Sequence, residues 1–297
     1  MSRSPGKSAI LRAVPRPRIS AFTVMLPDLT PEEAAAELGA AGYDGVEWRV
    51  AVVPEALRDH PPSFWGNNRC TLAPTAADGR RARDLAAAHD LAIPNVGAYP
   101  AGGDLDAFEA AVRFAEACGS PRVRFLPFPI GTGTGTYAEA FDATRRHLDG
   151  VEDLARRAGI RALVEIHHQT ITPSASLARR LVDGFDPEFV GVIHDAGNMA
   201  FEGFEDYRIG LELLGPYLAH VHVKNTKFGP PDASGTARPW FSPFDDGVVD
   251  FDALFGALHA AGYDGWVSVE DFGYTGTSRD AVREDLSFVR AVLARHC

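Results

Sequence analysis

Cysteine is scarce in this 297-residue chain: Cys70, Cys118 and Cys297 are widely spaced, odd in number and nowhere arranged as Cys-x-x-Cys. This argues against a disulfide framework and a thiolate metal knuckle, and it fits a reducing compartment. Cys118 falls on the apolar side of a helical stretch, where a small core residue is expected. No run of about 18 apolar residues occurs, so no membrane-spanning helix is expected. Basic residues are in deficit, 29 Lys and Arg against 40 Asp and Glu, for a formal net charge of -11. Phosphate-backbone binding depends on clustered Lys and Arg, so a nucleic-acid partner is not expected. A Gly-x-Gly-x-x-Gly fingerprint is missing after the first strand-like run, which counts against an open doubly wound sheet, the structural alternative.

Residues 1–18 carry Arg3, Lys7, Arg12, Arg16 and Arg18 and no acidic residue. A basic start without a long apolar stretch or a small-residue cleavage site does not read as a secretion signal. The expectation is a disordered leader over 1–18 on a cytoplasmic protein. Hydrophobic residues make up 45% of the chain, enough for one large core, so 19–297 is expected to form a single domain.

Strand-like and helix-like stretches then alternate. Residues 19–25, ISAFTVM, read as a first strand, and Thr30-Pro31-Glu32-Glu33 opens a helix with proline at its first position. Gly42 and Gly45 release that helix into VEWRV, where the apolar period changes from about 3.6 to 2. Helices over 77–89, 104–117, 136–158, 174–183, 203–214 and 250–261 each precede another short apolar run, and a last helix covers 278–294. Eight strands alternating with eight helices predict a closed (β/α)8 TIM barrel. The turn Gly-Tyr-Asp-Gly recurs at 42–45 and 262–265, as an internal repeat or as the same turn chemistry used twice.

Two connections exceed what a barrel needs: 50–76 and 225–248, both rich in proline and aromatic residues. As βα connections they belong on the C-terminal face of the strands, where barrels bind ligands, and they are candidates for a lid. The run Gly131-Thr-Gly-Thr-Gly135 lacks the Gly-Lys-Ser/Thr ending of a phosphate loop and reads as a flexible connection.

The residues that carry chemistry close the later strands. LVEI holds Glu165, GVIHD ends in Asp195, HVHVK contains His222 and WVSVE ends in Glu270. Strand ends converge on a barrel mouth, so residues 30, 27 and 48 positions apart can meet there. One strand-end carboxylate is usually solvated or caps a helix. Several together repel unless a cation or proton compensates, so the set predicts a metal centre. Three carboxylates and one imidazole suit Mn²⁺, Mg²⁺ or Co²⁺, with Zn²⁺ also open. By strand alternation His167 shares a face with Glu165 and is preferred to His168, His220 shares a face with His222, and His194 packs outward. Glu47 and Arg124 are candidate pocket residues, Arg124 as an anion contact. Trp48 and Trp240 are candidate apolar walls, with core or loop packing as the alternative.

This pattern resembles the sugar-phosphate isomerase/epimerase family among the xylose-isomerase-like TIM barrels, over about residues 19–294. The likeness lies in Glu165 of VEIHH, Asp195-x-Gly197-Asn198, His222-x-Lys224, Gly247-Val248-Val249-Asp250-Phe251, and Gly262-Tyr263-Asp264-Gly265 leading to Glu270. It implies one divalent ion, Mn²⁺ foremost, on Glu165, Asp195, His222 and Glu270, with His222 rather than His220 as the ligand. It also implies that Glu165 and Glu270 exchange a proton on a sugar carbon through a metal-stabilised enediolate. His167, Lys224 and Asn198 take pocket positions, and Asn225 stands where relatives often carry Asp. The implied substrate is a ketose or related 2-hydroxy carbonyl sugar, free or phosphorylated. A dehydratase of the inosose or dehydroshikimate kind is the alternative, because proton abstraction beside a carbonyl serves either outcome. A non-catalytic sugar-binding protein is a third reading. Related barrel nucleases that cut abasic DNA recruit more histidines and a basic face. Association into a homo-oligomer through helices or long loops is a further expectation.

Overall fold

The computed structural model describes residues 16–128, 135–202 and 204–296. Most of the expected leader and residues 131–134 of the glycine-rich run lie outside this set. Arg18, placed with the leader on sequence grounds, opens the first strand.

In chain order the strands are β1 (Arg18–Phe22), β2 (Gly45–Val50), β3 (Val96–Ala98), β4 (Arg122–Phe125), β5 (Arg161–Glu165), β6 (Val190–Asp195), β7 (Leu218–Val223), β8 (Asn225–Phe228), β9 (Pro239–Ser242) and β10 (Trp266–Val269). The first seven run parallel and close through β10 back onto β1, while β8 and β9 form a separate antiparallel pair. The helices are α1 (Pro31–Ala41), α2 (Ala76–Ala87), α3 (Leu105–Cys118), α4 (Tyr137–Ala158), α5 (Ala175–Val182), α6 (Ala196–Glu202), α7 (Tyr207–Leu214), α8 (Phe251–Ala260) and α9 (Ser278–Leu293). The fold is a (β/α)8 TIM barrel. None of the helices described is long and apolar enough to cross a membrane.

Local chemistry accounts for the element boundaries. Thr30 caps α1 by accepting from the Glu33 amide, and Glu33 reaches back to the Thr30 amide at 2.9 Å, a reciprocal capping box. Thr136 and Glu139 repeat the device at α4. Three expectations change. Residues 23–25 form a 3₁₀ turn, because strand pairing ends at Phe22 and the Thr23 hydroxyl instead accepts from the Arg49 amide. The helix expected over 203–214 becomes α7, with α6 inserted directly after β6. The long 225–248 connection contains the β8–β9 hairpin.

The barrel interior is unusually polar. Ser20, Glu47, His220, His222 and Ser268 are all fully enclosed. Phe22 fills the remaining interior next to His222, with ring centroids 5.6 Å apart, and a Cβ at Gly97 would stand 2.2 Å from the Phe22 ring. Only glycine leaves room there.

Asp285 of α9 meets Asp271, just beyond β10, and both are nearly fully enclosed. Burial pushes the Asp271 carboxyl up to about 6, while the Gly273 and Tyr274 amides, donating to its Oδ1 at 2.6 and 3.1 Å, limit that rise. Burial, reinforced by Asp271, pushes the Asp285 carboxyl up to about 9. A carboxyl raised in the folded state stabilises fully below its ordinary range, and that contribution is lost as pH rises through the folded value. Asp285→Asn should therefore flatten the decline in melting temperature between about pH 4 and about pH 9 and gain at least about 2 °C at the alkaline end. Thermal melts across that range check it, and a uniform loss of stability would sink the assignment of a proton to Asp285.

Candidate metal centre

Glu165 ends β5, Asp195 ends β6, His222 lies one residue from the end of β7 and Glu270 directly follows β10. These four strands are neighbours in the barrel, and the register sets Asp195 and Ser268 on either side of His222. One donor atom from each of the four residues lies within 4.8 Å of all the others, and all four residues are buried. His222 Nδ1 faces the carboxylates, 3.2 Å from Glu165 Oε1 and 3.8 Å from both Asp195 Oδ2 and Glu270 Oε2. Asp195 divides its oxygens: Oδ1 accepts from the Asn198 amide at 2.8 Å, capping the first turn of α6, which leaves Oδ2 for the cluster.

Glu47 is not at the pocket surface, contrary to the sequence expectation. It is fully enclosed deeper in the barrel, where Oε2 lies 2.9 Å from His220 Nε2 and 3.1 Å from His222 Nε2, and Oε1 accepts from Asn95 at 2.8 Å. It holds the far nitrogen of His222, so that Nδ1 is aimed at the other carboxylates. Burial pushes Glu47 up, but the His222 and His220 imidazoles outweigh it and hold the carboxyl well below its usual range. Glu47, His220 and His222 also bring three donors within 4.8 Å, so two buried groups sharing His222 are suited to a divalent ion. The four-residue group offers the fuller donor set at the mouth. A carboxylate on the distal nitrogen of a ligand histidine is the usual support for such a site, and the residues present fit a bound divalent ion.

Two cations balance the carboxylates. Lys224 Nζ lies 2.7 Å from Asp195 Oδ2 and pairs with Glu270, with Glu165 Oε1 at 3.8 Å. A Cβ on Gly197 would stand 2.4 Å from Lys224 Cγ, so the glycine of Asp-x-Gly-Asn gives this side chain its passage. Arg124 Nη1 donates to Glu165 Oε2 at 2.5 Å. Burial pushes Glu165 up, yet Arg124, His222 and Lys224 hold it well below the usual carboxylate range. Burial pushes Asp195 up to about 7, with Glu165 and Glu270 adding to the rise.

The mouth is edged by imidazole, amide and aromatic groups. Because β5 ends at Glu165, alternation does not sort His167 from His168, and both rings stack at the rim with centroids 4.4 Å apart. His167 Nδ1 bonds the His168 carbonyl at 2.7 Å, and burial lowers its pKa to about 4. His168 Nδ1 bonds Asn198 Oδ1 at 3.0 Å, and Asn198 Nδ2 donates to Glu165 Oε1 at 3.3 Å. Asn225 donates to the Phe244 carbonyl and accepts from the Thr226 and Val249 amides, a combination that an ionised Asp cannot make. His194 is enclosed on the opposite face from Asp195, with its ring edge toward Tyr207 of α7.

Neither tryptophan forms a wall of the pocket, and both follow the packing alternative. Trp48 has the opposite parity to Glu47 and is fully buried in the apolar layer outside the barrel. Trp240 is half exposed and packs over Gly229 on the outer face of the hairpin. Its neighbour Phe241 takes the wall position instead, its ring 4.9 Å from Phe201, 5.0 Å from Phe272 and 5.7 Å from Lys224 Nζ. Trp65, from the other long connection, lies 4.8 Å from Phe272 and 6.2 Å from Phe241, with tilted rings. The two long connections therefore meet over the carboxylates. Hairpin register, which chain periodicity does not reveal, makes Phe241 rather than Trp240 the inward residue.

The family model for the xylose isomerase-like TIM barrel matches residues 33–292. The chain belongs to this family. Among curated relatives, an inosose dehydratase of Geobacillus thermodenitrificans (strain NG80-2) is 29% identical over 164 residues, 49% of this chain and 55% of that protein. The chain spans about half the length of the curated relatives it matches. Among solved structures, the IOLI protein with a bound zinc atom superposes with a TM-score of 0.71 at 18% identity, covering 94% of this chain and 99% of that one. A 3-keto-D-glucoside 4-epimerase of E. coli gives 0.67 at 17% identity, covering 93% and 100%. At these identities, the structural likeness is one of fold.

Proposed function

We propose that the protein is a divalent-metal-dependent sugar isomerase or epimerase acting on a ketose or related 2-hydroxy carbonyl compound. The observation that carries this reading is the convergence of Glu165, Asp195, His222 and Glu270, buried at the ends of four adjacent strands. These residues would hold a divalent ion, Mn²⁺ in our reading, which would supply Lewis acidity toward a substrate carbonyl. Glu165 and Glu270 are the proton-transfer pair. They come from strands separated by β6 and β7, so their carboxylates approach the pocket from different sides. Glu165 is kept ionised by Arg124, His222 and Lys224 against its burial, as a proton acceptor must be. His167, with its pKa lowered to about 4, is neutral at physiological pH and can bond a sugar hydroxyl. Phe241 and Phe272 lie 5.7 and 5.5 Å from Lys224 Nζ and offer an apolar face to a sugar ring.

A dehydratase is the second reading. Lys224 places an ammonium beside Glu270, a general acid next to a candidate base, and inosose dehydratases are among the relatives matched. Mn²⁺-loaded protein incubated in D₂O with a panel of ketoses and cyclic keto-polyols separates the two. Deuterium at the α carbon of a recovered or epimerised sugar supports the isomerase reading, whereas loss of water to an enone supports the dehydratase. Neither exchange nor conversion across the panel would overturn both.

A further inference from the structure

Two buried arginines remain incompletely used by the carboxylate cluster. Arg124 of β4 is 3% exposed and Arg49 of β2, two residues beyond Glu47 on the same inward face, is 6% exposed. Tyr99, just past β3, lies between them, its ring centroid 4.2 Å from Arg124 Cζ and 5.1 Å from Arg49 Cζ. Arg124 donates from Nε to the Ala98 carbonyl at 3.1 Å and from Nη1 to Glu165, while Nη2 has no partner among the described residues. Arg49 donates from Nη1 to the Thr71 hydroxyl, and its Nε has no partner among the described residues. Glu165 is the one carboxylate that either guanidinium meets among those residues. A cavity of about 450 Å³ opens beside Arg49, lined in part by Arg49, Tyr99 and Trp65.

We propose that this end of the mouth is an anion subsite in which Arg49 and Arg124, ordered around Tyr99, receive a carboxylate or phosphate group of the substrate. The inference rests on reading the four-donor cluster as the reaction centre. Arg124 already touches Glu165 of that cluster, so an anionic group held here belongs to the same molecule whose carbonyl lies at the carboxylates. Guanidinium groups present forked N–H donors that match carboxylate and phosphate oxygens, and a neutral hydroxyl does not offset their charge. Charge balance points the same way. With neutral imidazoles and a divalent ion, Arg49, Arg124 and Lys224 outweigh Glu47, Glu165, Asp195 and Glu270 by one positive charge. An anionic substituent neutralises that excess inside a buried site, where an uncompensated charge is costly.

Titration calorimetry on the Mn²⁺-loaded protein tests this with matched pairs, D-fructose 6-phosphate against D-fructose and D-galacturonate against D-galactose. In at least one pair the acidic member should bind about ten-fold or more tightly than the neutral one. The pair that shows the preference distinguishes a phosphate ester from a carboxylate. Arg49→Gln should remove that advantage while neutral-sugar affinity stays within about twofold, and Arg49→Lys should recover part of it. Equal affinities within both pairs, no binding by any of the four, or equal losses for acid and neutral sugar in R49Q would overturn the subsite. If R49Q does not fold, the comparison on the unmodified protein decides. Metal content of the same preparation separates the two ideas: full metal without acid preference removes the subsite alone, whereas no metal removes the reaction-centre reading.

Discussion

Replacing Asp195 by asparagine should leave the protein folded but without a stoichiometric divalent ion, and should reduce turnover by about 10³-fold. Asn keeps an oxygen that can accept the Asn198 amide, so the cap on α6 survives the change. What is lost is the negative Oδ2 that faces His222 Nδ1 and Lys224. The neutral amide also leaves Lys224 with one partner fewer, so a modest fall in melting temperature accompanies the loss of metal. Metal analysis, thermal melting and turnover on the same preparation check this. Full metal content with unchanged turnover would refute the four-residue centre, because no other residue of the cluster can replace that oxygen without moving its strand.

Glu47→Gln is the second large effect, and it separates two roles for this residue. If Glu47 acts by holding His222 Nε2, the variant should weaken metal affinity by about 10–100-fold, measured by competition with a chelator. At saturating metal, KM for the substrate should then be nearly unchanged. A direct substrate contact would instead raise KM with metal affinity intact. The geometry favours the first outcome, since Glu47 is fully enclosed and both its oxygens are engaged by Asn95, His220 and His222. Glutamine can still accept from Asn95, but it brings no charge to draw the proton on His222 toward Nε2.

Much of the barrel was legible in the chain. Capping residues such as Thr30 and Thr136, glycine at helix ends and short apolar runs marked the elements within a few residues, because these signals act over one helical turn or one strand. The exceptions were places where the third dimension intervenes. Strand β1 stops at Phe22 because its neighbours stop pairing there, and α6 forms because Asp195 serves as both cap and cluster member. His167 and His168 were sorted by an alternation that ended with β5 at Glu165.

The same division holds for the site. Strand-end position was enough to single out Glu165, Asp195 and Glu270, since a closed barrel brings the ends of adjacent strands together whatever lies between them in sequence, whereas His222 shares its face with His220 and was preferred through the family resemblance. Such signals did not give depth within the barrel, and depth makes Glu47 a support for His222 rather than a pocket residue. Nor did they give hairpin register, which turns Phe241 inward and Trp240 outward, or the passage beside Gly197 that delivers Lys224 among the carboxylates. Local sequence determines which way a side chain leaves its own strand. Which partner it then meets, as when Glu47 meets His220 across 173 positions, is decided only when the barrel closes.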